Sequence, residues 1–212
     1  MNEYTKVEPN PKFGVLVSDA RVAKAAKALE ANGIKTIVVD TGAEARRLVL
    51  ELIPAGAEVL GALSETVTAI GAAQIIDESG RYDAIRPKAA KLDRKTQGRE
   101  IKKLRASPEY SVGSVHAVTE DGQLVIGSGS GSQLGPAAYS AEKVIFVAGT
   151  QKIVKNLAEG LKRLEEYSLP LENERMVKVY GFPSILAKVL IIKREPGAER
   201  MTMILVKEKL GF

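Results

Sequence analysis

Residues able to do chemistry concentrate in one stretch, VGSVHAVTEDGQLVIGSGSGSQLG, from Val112 to Gly135. His116 is the chain's only histidine. On a strand, two residues from Ser114, it can act as acid, base or clamp on a bound anion. Its plain alternative is a core histidine satisfied by its neighbours. Glu120, in the turn Glu120-Asp121-Gly122, has the chemistry of a carboxylate nucleophile toward an activated acyl group; the alternative is an exposed turn residue. A Ser/Gly tract runs from Gly127 to Gly135, so amides and hydroxyls can approach a phosphate, carboxylate or carbonyl with few side chains in the way. Ser128, Gly129, Ser130, Gly131, Ser132 and Gln133 are the residues expected to hold such a ligand. A helix starting at Pro136 would converge the preceding amides on its positive end. The tract is no Walker loop, because no Gly-Lys-Ser/Thr follows, and it lacks the dinucleotide spacing. Lys152, at the expected start of a helix directly after an apolar strand, faces either a phosphate or carboxylate, or solvent.

The elements that must position these residues alternate between apolar strands and helices. Ser18 caps a helix over Arg21–Glu30 that stops at Asn32-Gly33. Ile34–Asp40 reads as a buried strand, and a second helix runs from Thr41 or Gly42 through Leu52 to Pro54. Glu58–Ala62 is a short strand, followed by helices over Glu65–Ile70 and near Ala72–Asp77, then a basic one over Gln97–Ala106. Val112–Thr119 and Gln123–Ile126 flank an Asp-Gly turn as a hairpin. Lys143–Ala148 is a strand, Gln151–Tyr167 a long helix and Glu172–Val179 another. Val189–Lys193 and Met201–Lys207 close the chain as two strands about a turn at Glu195-Pro196-Gly197. This alternation predicts an α/β fold with a mainly parallel, helix-covered sheet, the hairpin and last strands adding antiparallel or mixed pairing.

Composition narrows the function classes. The 212 residues suit one domain over 1–212, with 1–12 a disordered tail and 78–106 a basic, largely helical insertion. With no cysteine, the chain itself has no disulfide, no thiol nucleophile and no cysteine-held iron–sulfur or zinc centre. One histidine further argues against a transition-metal site, so no metal ligands are assigned, although carboxylates can hold magnesium. No apolar signal core opens MNEYTKVEPNPK and no run reaches membrane-spanning length, so a soluble cytoplasmic protein is expected. The net charge of +5 is uneven: Arg86 to Arg105 alone carries +7. Such a patch steers an anionic ligand or an acidic partner. Arg94 and Arg99 would add positive charge to a cleft if the segment folds over it. The plain alternative is a solvated helical face. No aromatics alternate with these charges, so no nucleic-acid partner is expected.

The run VGSVHAVTEDGQLVIGSGSGSQLGPAAYSAEKVIFVAGTQK, ending at Lys152, resembles the lactate-utilisation (LUD) domain family. The likeness extends to TGAEARRLVLELIP (41–54), LSETVTAIG (63–71), DRKTQGREIKKL (93–104) and ILVKEKLGF (204–212), covering the chain from about residue 18. The resemblance implies a three-layer α/β fold related to ribose-5-phosphate isomerases, glucosamine-6-phosphate deaminases and coenzyme A transferases. Members of that wider group bind phosphorylated sugars or acyl-coenzyme A beside glycine-rich loops. It also likens Thr119-Glu120-Asp121-Gly122 to the Ser-Glu-Asn-Gly-like turn that carries the transferases' nucleophilic glutamate. For the family it implies a part in bacterial lactate oxidation alongside iron–sulfur partner subunits. Lacking cysteine, this chain would not carry the electrons itself. The expected function is binding of a small anionic metabolite, or a phosphorylated or coenzyme A ligand, as a non-electron-carrying component of lactate or organic-acid utilisation. The alternatives are an acyl or coenzyme A transferase or hydrolase using Glu120, and a regulatory subunit docking an acidic partner. No cofactor is assigned, no membrane partner is expected, and a homo-oligomer is among the expected arrangements.

Overall fold

In the computed structural model, residues 6–197 and 199–212 are described. Helix α1 (Asp19–Ala31) begins after Ser18 and leads into strand β1 (Lys35–Val39). Helix α2 (Gly42–Leu52) starts at a capping box in which Thr41 and Glu44 satisfy each other's backbone N–H groups. Strand β2 (Glu58–Gly61), helices α3 (Glu65–Ala69) and α4 (Ala72–Glu78), and a two-residue strand β3 (Asp83–Ala84) follow. Helices α5 (Ile85–Ala90) and α6 (Gly98–Ala106) form the basic segment. Strands β4 (Tyr110–Gly113), β5 (Ala117–Thr119), β6 (Leu124–Ser128), β7 (Lys143–Gly149) and β8 (Ile153–Val154) come next. Helices α7 (Leu157–Arg163) and α8 (Leu169–Tyr180) precede β9 (Lys188–Ile192) and β10 (Met201–Val206).

Two sheets result. Six strands lie in the order β1-β10-β7-β4-β2-β3, and every pairing among them is parallel. A smaller sheet, β8-β5-β6-β9, mixes one parallel and two antiparallel pairings. The α/β expectation of a mainly parallel, helix-covered sheet describes this fold.

Alternation along the central strands assigns their faces. Val144, Phe146 and Ala148 of β7, with Met201, Met203 and Leu205 of β10, pack toward α1 and the small sheet. Ile145, Val147, Ile204 and Val206 face the opposite way, toward α2, α3 and α4. Ala117 and Val125, on the far side of the small sheet, pack on Phe13, Leu164 and Tyr167. Burying both faces requires the near-continuous apolar runs that these strands have.

Four local readings are corrected. The run Val112–Thr119 is not one strand, because β4 ends at Gly113 in the large sheet and β5 starts at Ala117 in the small one. Lys152 takes the Ser114 hydroxyl and Val115 carbonyl between them, so that carbonyl joins no ladder. Gln151–Tyr167 is not one helix: Thr150–Lys152 is a 3-10 turn, and β-branched Ile153 and Val154 pair with Val118 and Thr119. The helix waits for Asn156, whose side chain caps the Glu159 N–H. Of the last two strands, β9 pairs antiparallel beside β6 as expected, whereas β10 adds no antiparallel pairing and is central in the parallel sheet. Of the tail expected over 1–12, residues 1–5 lie outside the described residues. Asn10 and Lys12, by contrast, are held by Glu166 and Glu159, at a 3-10 turn (Pro11–Gly14) that buries Phe13.

Candidate functional site

The chain passes between the two sheets at Ser114–His116 and at Thr150–Lys152, and these crossings bring polar groups together at the carboxyl ends of β4 and β7. Ligands of open α/β sheets commonly bind at strand carboxyl ends. The Lys152 side chain is buried, and its Nζ donates to Thr66 Oγ1 (2.9 Å), Ser114 Oγ (3.0 Å) and the Val115 carbonyl (3.1 Å). No carboxylate pairs with it among the described residues. Burial, and the charge of nearby Arg163, hold its pKa well below the ordinary lysine range. Thr66 in turn donates to the Leu210 carbonyl, which Gln151 Nε2 also reaches (2.9 Å), so the chain's last residues close over this turn.

Lys152 bonds the Val115 carbonyl and Arg163 the His116 carbonyl, which brings both cations near His116. Burial first, then these two cations, push its pKa down to about 3. It is therefore neutral at physiological pH. Its Nδ1 accepts from the Gly127 N–H (3.0 Å), which leaves the ring proton on Nε2. The imidazole can thus donate an uncharged hydrogen bond to a ligand.

Arg163 is fully buried, a placement rare for arginine without an anionic partner. Its Nη1 donates to the His116 carbonyl and to Ser168 Oγ (3.1 Å), while Tyr167 lies 5.0 Å from the guanidinium carbon. Nε and Nη2 have no hydrogen-bond partner among the described residues. Those two N–H groups form one edge of the planar fork, the edge that grips a carboxylate with two parallel bonds. Burial lowers its pKa to about 10, so it remains charged at neutral pH. A groove of about 280 Å3 runs between the Phe13–Ser18 segment, Arg21, Gln151, Ile153 and Glu159; His116, Lys152 and Arg163 do not line it.

The structure distributes the sequence-derived candidates unevenly. His116 and Lys152 come together, and Gly127 at the head of the Ser/Gly tract touches them through His116. The tract itself is closed by its own hydrogen bonds. Ser128 Oγ accepts from the Gly131 N–H (2.8 Å) and bonds Gln133 Oε1 (3.0 Å), and Ser130 pairs with Ser132 (3.2 Å). Gly129 packs under Ile185. Glu120 sits at the other end of β5 from His116, about 13 Å away along the strand. There Lys24 and Arg21 of α1 grip its carboxylate and hold its pKa below the usual range. Arg99 is exposed on the outer face of α6, and Arg94 is exposed in the turn before it. Among the described residues no group of three or more acidic or histidine side chains is placed to hold a metal ion. Sequence reasoning missed Thr66 and Arg163. Arg163 had a legible signal: with Gly160, Leu164 and Tyr167 it forms a buried stripe at helical spacing, a charge on an otherwise inward face.

The family model described as LUD domain matches residues 22–206. A solved structure of a DUF162 family protein from Deinococcus radiodurans superposes with a TM-score of 0.55 at 12% identity, covering 90% of this chain and 99% of that one. At that identity the likeness shows the fold alone. The structure of eIF2B beta from Chaetomium thermophilum reaches a TM-score of only 0.39 at 15% identity, over 58% of this chain and 42% of that one. None of the curated proteins matches the sequence.

Proposed function

We propose, from the premise that this chain belongs to the LUD domain family, that it binds a small organic anion between Arg163, His116 and Lys152. In this reading it serves lactate or related organic-acid utilisation as a component that does not itself carry electrons. One observation carries the reading: Arg163 is a fully buried guanidinium whose Nε/Nη2 edge has no protein partner and no carboxylate facing it among the described residues. A ligand carboxylate supplies the missing charge and both acceptors. His116 Nε2–H contributes a neutral donor, while Lys152 spends its three N–H groups on Thr66, Ser114 and the Val115 carbonyl and so fixes the groups around the anion rather than bonding it. The Ser/Gly tract contributes through Gly127, while its serine hydroxyls bond within the tract. Glu120 takes no part, since two cations engage its carboxylate.

The test is calorimetric titration of the folded protein with lactate, pyruvate and glycolate, repeated on Arg163→Met. Methionine fills similar volume and leaves no buried charge, so the fold should survive. Expected is binding that weakens at least tenfold in Arg163→Met. Equal affinity in a variant with an unchanged circular dichroism spectrum would overturn the site. Lys152→Met supplies a second reading of the same question should the first variant not fold.

A further inference from the structure

Strand β9 closes one side of the small sheet, and its outer edge is open. Hydrogen bonds along β6 show which backbone groups that edge carries. The Gln123 carbonyl accepts from Thr119 (2.9 Å), the Val125 carbonyl accepts from His116 (2.8 Å), and the Gly127 N–H donates to His116 Nδ1. Those three residues therefore turn toward β5. Leu124, Ile126 and Ser128 turn the other way, where they stand opposite Ile192, Leu190 and Lys188 of β9. Val189 and Ile191 are left with N–H and C=O directed outward, and no hydrogen bond meets these groups among the described residues.

The surface beside this edge is apolar. Val189 is 41% exposed, Ile185 66% and Phe182 57%, and the Phe182 ring lies 6.2 Å from that of Tyr180 at the end of α8. The Ala187 N–H bonds the Ser128 carbonyl, so the chain from Ile185 already runs beside β6 as it enters β9. Contiguous exposed apolar surface of this kind marks an interaction site.

Charge selects the occupant. Lys178, Lys188, Lys193 and Arg194 are exposed, and none is in an ion pair among the described residues. The neighbouring carboxylates are engaged elsewhere: Glu172 with Arg175, Glu174 with Lys6 and Glu195 with Arg200. Lys188 lays its stem over Gly131, its Cδ 2.9 Å from where a Cβ there would begin. Lys188 and Lys193 thus bracket the apolar edge, about 17 Å apart along the strand. A second copy of this chain would bring the same cations against them. A lipid surface would suit the cations and rings but would satisfy no backbone N–H or C=O.

We propose that β9 docks an extended segment of another protein, which adds a fifth strand to the small sheet. The segment is an apolar run bracketed by carboxylates that meet Lys188 and Lys193. Backbone pairing supplies the affinity in such strand addition, and the flanking side chains supply the selectivity. Neither Arg163 nor His116 takes part, so loss of the anion site would leave this docking unchanged.

The probes are capped synthetic peptides: Glu-Val-Thr-Ile-Val-Glu, its Lys-bracketed counterpart, and two forms of the acidic peptide N-methylated at alternate residues, one along each edge. Affinity is read by fluorescence anisotropy and location by amide hydrogen exchange. Expected is at least tenfold tighter binding of the acidic peptide than of the basic one, with slowed exchange at the Val189 and Ile191 amides. Methylation along one edge should abolish binding, and along the other should spare it. Val189→Pro should also abolish it, since proline there removes only an outward N–H and leaves the pairing with β6 intact. Charge reversal by Lys188→Glu with Lys193→Glu should invert the preference between the peptides. If Val189→Pro does not fold, the methylated pair puts the same question to the wild-type protein. Equal binding of the two methylated forms overturns strand addition, and equal binding of the acidic and basic peptides overturns the charge assignment. Val189 and Ile191 amides already protected in a dimer that Val189→Pro dissociates would give the edge to a second copy. Binding to phosphatidylserine–phosphatidylcholine vesicles with every peptide silent would give the patch to a lipid surface. Silence toward all probes overturns the docking site.

Discussion

A histidine whose pKa is held near 3 makes the folded chain a weaker proton acceptor than the unfolded one. Between about pH 3 and pH 6.5 the unfolded chain protonates His116 and the folded chain does not, so this group's contribution to stability falls as pH falls through that window. The slope for one such group is at most about 1.4 kcal/mol per pH unit. Denaturant midpoints measured between about pH 4 and pH 7 should therefore fall more steeply in wild type than in His116→Gln, whose amide oxygen can still accept from Gly127. Parallel profiles would mean the ring titrates as it does in water. The same neutrality fixes the chemistry: His116 offers an N–H to a ligand and is no source of positive charge, so Arg163 must carry the electrostatics. Sequence made His116 and Lys152 conspicuous, one as the sole histidine and the other by its place after an apolar strand. It could not show Thr66 beside them, since 86 residues separate it from Lys152 and only the pairing of distant strands joins the two.

At the scale of elements, the hairpin and α1 are the most tightly specified contact. The β5–β6 loop turns at Gly122, with φ of +80°, and the Asn32 side chain at the end of α1 donates to the Asp121 and Gly122 carbonyls, both at 3.0 Å. A Cβ on Gly122 would lie 2.5 Å from the Ala28 carbonyl carbon. Gly122→Ala combines left-handed strain with overpacking and should cost roughly 2–5 kcal/mol, read as a lower denaturant midpoint. A loss under about 1 kcal/mol would show that the hairpin does not seat on α1. The Asp-Gly signal was legible because turn chemistry is local. So was the helix start at Thr41, where the capping residue stands beside its helix; Ser18 stands just before α1 as expected, but its side chain makes no cap hydrogen bond. Misreadings fell where tertiary pairing overrides local preference. Ile153 and Val154 leave a helical pattern to pair with β5, and Val112–Thr119 keeps strand character throughout while changing sheets.

For the whole molecule, the decisive fact is how often the chain changes sheets. It crosses at 114–116, 129–142, 150–152 and 193–200, and a single apolar cluster joins Val118, Leu124, Ile126 and Ile192 of the small sheet to Phe146, Met203 and Leu205 of the large one. Neither sheet can lose its packing without exposing the other's core. Unfolding should follow one transition by far-ultraviolet circular dichroism and by tyrosine fluorescence; separated midpoints would mean the sheets melt independently. The residues proposed to hold the anion sit largely on these crossings: Ser114 and His116 on the first, Lys152 on the third, with Gly127 just ahead of the second. A ligand held there braces the seam between the sheets and stabilises the whole cooperative unit. At a hundred times its dissociation constant it should add about 2.7 kcal/mol and raise the single midpoint without splitting it. Stabilisation confined to one spectroscopic probe would place the ligand on one sheet and remove the seam from its binding site.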